Sequence, residues 1–140
     1  MFDKILVAID GSDTSLKALD KAMLLAEQKQ SEITLLAVGK IFLFPSAVVI
    51  DINLIREALE EQYDEVLKDA QARVNEKGIA SKIVYREGDP AQQILEFANE
   101  GDYDLIIMGS RGLGGFKEVI LGSVSHKVAQ LARCPVLIVK

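Results

Sequence analysis

The chain has no tryptophan, one cysteine, one histidine and three prolines in 140 residues. Each scarcity closes off a class of function. A lone Cys134 excludes an intramolecular disulfide and fits a reducing compartment. One histidine and one cysteine are too few for an ordinary zinc site. Long apolar runs are missing too. The longest uncharged stretch, Ile41 to Ile50, is interrupted by Pro45 and is far too short to span a bilayer. Met1-Phe2-Asp3-Lys4 runs straight into a strand pattern with no basic leader and no small-residue cleavage site, so a cytoplasmic location is expected. Positive charge is in deficit. Sixteen Lys and Arg against 21 Asp and Glu give a net charge of −5, which argues against a nucleic-acid partner.

What is present is ordinary for one globular domain: 49% hydrophobic and 26% charged residues, in a chain long enough to bury a core unaided. Five apolar runs have strand length, at Ile5–Ile9, Ile33–Val38, Ile83–Tyr85, Leu105–Met108 and Val136–Val139. Most are nearly continuous rather than alternating, the pattern of parallel strands covered on both faces. Helical spacings lie between them. Leu16, Leu19, Ala22, Met23 and Ala26 follow the cap-like Ser12 and Asp13. A second series runs from Ile55 through Leu59, Tyr63, Val66 and Ala70 to Val74, with Gly78 as its stop. Its acidic residues Glu57, Glu60, Glu61, Asp64 and Glu65 read as a solvated face. Asp89-Pro90 opens a third helix as cap and first residue, turning Ile94, Leu95 and Ala98 inward. The fourth carries Val124, Val128, Leu131 and Ala132 and closes at Cys134-Pro135. The order βαβαβαβαβ predicts an open, mostly parallel α/β sheet with right-handed crossovers. The connection 39–52 is unexpectedly apolar, with Phe42 and Phe44 among its members, and is expected to fold back on the core or over a ligand or partner.

The most informative stretch is Gly109-Ser110-Arg111-Gly112, which directly follows the fourth apolar run. Nine residues separate it from Gly122-Ser123 at the start of a helical pattern. Glycines let a backbone approach a ligand closely, and a helix start offers unpaired N–H groups and the positive end of a dipole. Together they suit a phosphate-binding turn. Ligands of open α/β sheets bind beyond the carboxyl ends of the strands, where strand order reverses. Asp10-Gly11-Ser12 ends the first strand, so Asp10 faces the same crevice if the first and fourth strands are neighbours. Its carboxylate is an acceptor for an adenine amino group, a ribose hydroxyl or the water shell of a metal; a plain turn residue is the bland alternative. Arg111 and Lys117 are candidates to neutralise phosphate charge.

Other motifs fail. Gly115-Phe116-Lys117-Glu118 lacks the Gly-Lys-Ser/Thr of a P-loop, and Lys117 stands where a dinucleotide fingerprint starting at Gly112 needs its last glycine. Met108 occupies the first glycine position of a nucleophile elbow around Ser110. Ser123 and His126 share a helix face, but a helix-capping serine and a surface histidine explain them more simply. Cys134 reads as a packed, inert thiol. No general base or water-positioning residue is evident, so nucleotide binding is expected, with a slow nucleotide hydrolase or a nucleotide-using transferase on the same pocket as the alternative.

The spacing Gly-x-x-Gly, nine residues, Gly-Ser, met here by Gly109, Gly112, Gly122 and Ser123, resembles the hallmark of the universal stress protein family. The resemblance extends to Ile5–Ser12, Asp104–Gly112 and Cys134–Val139, and so covers essentially the whole chain. It implies a single Rossmann-like domain over 1–140, with a five-stranded parallel sheet of order 3-2-1-4-5 and helices on both faces. It also implies ATP binding, with Mg²⁺ or Mn²⁺ held mainly through the phosphates. Asp10 and the Val38 backbone would lie at adenine, Met108 and Gly109 beside the ribose, and Ala8 is counted among the nucleotide-binding residues. Gly112, Gly122, Ser123 and Val124 would hold the phosphates, and Arg111 is counted with the nucleotide-binding residues as a candidate to neutralise charge. A homodimer through the apolar edge strand Val136, Leu137, Ile138 and Val139 is expected, partly from the unprotected edge and partly from the resemblance. A regulatory protein partner is implied but not identified by these residues.

Overall fold

Every apolar run becomes a strand of one parallel sheet. The computed structural model describes residues 2–41, 51–112 and 121–140. In chain order the elements are β1 (Lys4–Ala8), α1 (Asp13–Lys29), β2 (Glu32–Gly39), α2 (Ile52–Glu76), β3 (Ser81–Glu87), α3 (Pro90–Glu100), β4 (Leu105–Gly109), α4 (Ser123–Leu131) and β5 (Val136–Val139). The strands lie in the order β3-β2-β1-β4-β5, as expected. β1 is central, with Ile5 opposite Ile33 on one side and Leu105 on the other.

Alternation along the strands divides the core into two layers. Ile5, Val7, Ile33, Leu35 and Ile107 pack with α1 and α2, whereas Leu6, Leu36, Ile106 and Met108 pack with α3 and α4. Burial on both faces is why these strands lack alternation in sequence. The same order sends the crossovers from β1 and β4 to opposite faces, so the sheet splits between the carboxyl ends of those two strands.

Local chemistry sets the helix starts. Ser12 caps α1 by accepting from the Ser15 N–H at 3.3 Å, and Asp89 caps α3 by accepting from Gln92 N–H at 3.0 Å with Pro90 in the first turn. α2 begins at Ile52, one turn earlier than its periodicity indicates, because Asp51 caps it through Asn53 N–H at 3.0 Å. β3 extends on both sides of Ile83–Tyr85, since Ser81, Lys82, Arg86 and Glu87 pair with β2 through their backbones whatever their side chains. Two expectations for α4 need correction. Gly122, not Ser123, is its N-cap, and the helix ends at Leu131, so that Ala132 is its C-cap and Cys134-Pro135 lies beyond it.

The acidic face of α2 is solvent-facing as read, with Asp64 paired to Lys68 at 2.8 Å. Residues 42–50 of the apolar connection lie outside the described residues, as do Lys117 and the rest of 113–120. Among the described residues no helix is long and apolar enough to cross a membrane.

Candidate functional site

The chain leaves β1 through an Asx turn. Asp10 Oδ1 accepts from Ser12 N–H at 2.9 Å, and Gly11 sits at φ +87°, where a side chain would be strained. That turn places Asp10 beside the glycine loop leaving β4. A Cβ added at Gly112 would lie 3.1 Å from Asp10 Oδ2. The Arg111 carbonyl is held from the α1 side by Thr14 Oγ1 at 2.7 Å.

Gly109 answers to a different demand. A Cβ there would collide with Thr14, coming within 2.7 Å of its backbone carbonyl carbon, so this glycine lets α1 settle on β4. Its place in the motif is explained by packing even before a ligand is considered.

Ser110, only 2% exposed, links three parts of the site through one residue. Its N–H donates to Val139 O at 2.8 Å, at the end of β5. Its carbonyl accepts from Gly122 N–H at 2.6 Å and from Ser125 Oγ at 3.0 Å, which docks the start of α4 against the β4 loop. Among the described residues no side chain caps α4. The described residues leave its first N–H groups unspent, at the positive end of the helix dipole.

These elements enclose a crevice of about 550 Å³ at the split between β1 and β4. Ala8, Asp10, Val38, Met108, Gly109, Arg111, Gly112, Gly122, Ser123 and Val124, all named from the sequence, line it together. Sequence reasoning did not assign Ser15, Lys40, Leu59, Tyr63, Pro90 or Ile94 to the site, yet they line it as well. Tyr63 and Leu59 lay within the apolar stripe of α2, and nothing in the stripe marked its first turns as overhanging the β1 turn. Pro90 and Ile94 were read as helix start and core. The crevice is thus apolar on the α2 and α3 sides and polar where the glycine loop meets α4. Burial, then the charge of Asp10, pushes the Tyr63 phenol above its ordinary pKa, so it stays a neutral donor.

Among the described residues no group of three or more His, Cys, Asp or Glu is arranged to hold a metal ion. His126 is exposed on α4 and does not line the crevice. Cys134 is half-buried, and desolvation raises its thiol pKa, which opposes thiolate chemistry.

A parallel sheet of this order, opening at its reversal point onto a glycine-lined crevice and a bare helix start, defines a Rossmann-like α/β domain. The sequence matches the universal stress protein family over residues 1–140, and the chain belongs to that family. It is 44% identical over 148 residues to Universal stress protein YxiE of Bacillus subtilis, with the whole of both chains covered. UspA from Lactobacillus plantarum shares the fold at a TM-score of 0.90 and 23% identity, over 99% of this chain and 98% of that one. A universal stress protein solved in complex with cAMP superposes at a TM-score of 0.76 with 25% identity, over 99% and 97% of the two chains.

Proposed function

We propose that residues 1–140 act as one nucleotide-binding domain that takes up ATP in the β1–β4 crevice, working as a regulatory protein and not as an efficient enzyme. The observation that carries this reading is the convergence of Gly112, Gly122 and the uncapped start of α4 on the polar end of the crevice. Backbone N–H groups there suit phosphate oxygens, with Arg111 beside them to offset charge. The apolar walls at Leu36, Val38 and Ile94 suit a purine, and about 550 Å³ is within the usual range for a small-ligand site. The cAMP complex of a relative supports an adenine nucleotide as the ligand class.

Mg²⁺ or Mn²⁺ would enter with the phosphates. With no ready-made ligand cluster among the described residues, the cation would keep most of its coordination from phosphate oxygens and water. Asp10 is the one carboxylate among the described lining residues, and its Oδ1 is already engaged by Ser12 N–H. A poorly placed base favours binding over turnover.

Titration calorimetry of the purified, nucleotide-free protein with ATP and Mg²⁺ tests the reading. Saturable binding is expected, and ATP should survive on the protein for many minutes. Rapid multiple-turnover phosphate release that disappears in Gly112→Val would establish an enzyme instead, and no binding at millimolar ATP would remove the function altogether.

A further inference from the structure

The α2 wall of the crevice carries an aromatic pair that the glycine motif does not explain. Tyr63 lines the crevice and stacks on Tyr85, with ring centroids 5.8 Å apart and planes 30° from parallel. Tyr85 is locked in turn. Its hydroxyl is buried without a hydrogen-bond partner among the described residues and presses on Gly39, where an added Cβ would collide with that hydroxyl. An unsatisfied buried hydroxyl costs stability. The ring that carries it is the face on which Tyr63 stacks.

Two polar groups line the same crevice here, Tyr63 from α2 and Asp10 from the β1 turn. Tyr63 has no hydrogen-bond partner among the described residues, and its phenol feels the charge of Asp10. Asp10 Oδ1 is taken by Ser12, while Oδ2 faces Gly112. An ionised carboxylate only accepts and a protonated phenol can donate, so the group that satisfies both must give one hydrogen bond and take another. A hydroxyl does that. The position is equally specific: Asp10 stands between the phosphate-suited loop at Gly112 and the apolar walls at Leu36 and Val38. In a bound nucleotide the sugar occupies that middle ground.

We infer that Tyr63 and Asp10 together read one ribose hydroxyl, and that Tyr63 is a specificity-determining residue selecting nucleotides that carry that hydroxyl over those that lack it. The inference rests on the proposed nucleotide function, and the test separates the two. ATP, 2′-deoxy-ATP and 3′-deoxy-ATP are titrated calorimetrically against the wild-type protein and Tyr63→Phe, which keeps the ring and its stacking and loses only the phenol oxygen. Thermal unfolding of the free proteins checks that both are folded. For the wild type, at least one deoxy analogue should bind about threefold to tenfold more weakly than ATP, the range set by one hydrogen bond. In Tyr63→Phe that preference should shrink towards the residue left by Asp10 alone, while the other analogue follows ATP. Such analogue-specific coupling is not produced by a merely structural role.

Equal binding of all three nucleotides by the wild type would overturn the inference. So would a preference that persists undiminished in Tyr63→Phe, including the case where all affinities fall by one common factor, since Tyr63 would then only pack. If the wild type binds none of the three, the proposed function fails and the sugar reading falls with it.

Discussion

Gly109, Gly112 and Gly122 belong to one motif but face different neighbours. A Cβ at Gly109 would strike Thr14, one at Gly112 would press only on Asp10 Oδ2 at 3.1 Å, and one at Gly122 would press on the Ser110 carbonyl at 3.1 Å. Ser110 O is the acceptor that docks α4. Gly122→Val should therefore damage the fold as well as ligand uptake. Gly112→Val is the cleaner probe, because the Asp10 carboxylate can turn away. It should weaken ATP binding at least about tenfold, the effect of losing about 1.4 kcal/mol, with its thermal midpoint close to that of the parent. Gly122→Val should lose both binding and several degrees of melting temperature. Calorimetry and thermal unfolding on the same preparations check the pair; similar midpoints for the two variants would contradict this division of roles.

At the scale of elements, α3 offers the clearest stability test. Asp89 Oδ2 caps the helix through Gln92 N–H and lies 3.8 Å from Lys127 Nζ on α4, across the two helices that bring Ile94 and Val124 to the crevice. Asp89→Ala should cost about 1 kcal/mol from the lost cap. The exposed ion pair should add only tenths of that. Chemical denaturation should report this loss, and a cost near zero would show that the cap is replaced by solvent.

This cap was plain in the sequence, because Asp-Pro before an apolar helical series has few other meanings. The strands were equally legible, since burial on both faces forces continuous apolar runs. Less could be read where backbone geometry decides. Gly122 caps α4 without any side chain, so the neighbouring serine drew the assignment. β3 runs through polar Lys82 and Arg86 because backbone pairing with β2 is indifferent to side-chain type. The glycine half of the crevice was visible as a spacing, whereas Tyr63 and Leu59 were hidden inside a stripe that serves the core along most of its length.

For the whole molecule, the question is what the open edge at β5 does. Its register shows which groups are spent: the Pro135 carbonyl accepts from Ile106 N–H and the Val139 carbonyl from Ser110 N–H. In a parallel strand the intervening residues turn their backbone groups the other way. The N–H groups of Val136 and Ile138 therefore point away from β4, along an edge where Leu137 is 38% exposed. An edge so lightly protected suits pairing with a second copy across a two-fold axis. Ile138→Pro deletes one outward donor without touching the β4 ladder, and proline is tolerated at such edge positions. Light scattering should then report a dimer for the parent and a shift to monomer for the variant. A parent that stays monomeric at high micromolar concentration would rule the assembly out.

The peptide of Ser110 also sets a lower limit on the length of a working chain. Lys140 is exposed and lies beyond the last residue of β5, so its removal should be silent. Val139 is different, because its carbonyl is the acceptor for a serine whose own carbonyl seats the start of α4. A chain cut before Val139 leaves the buried Ser110 N–H without its partner, where the last strand meets the crevice. Shortening of β5 thus reaches the crevice once the Val139 carbonyl is lost.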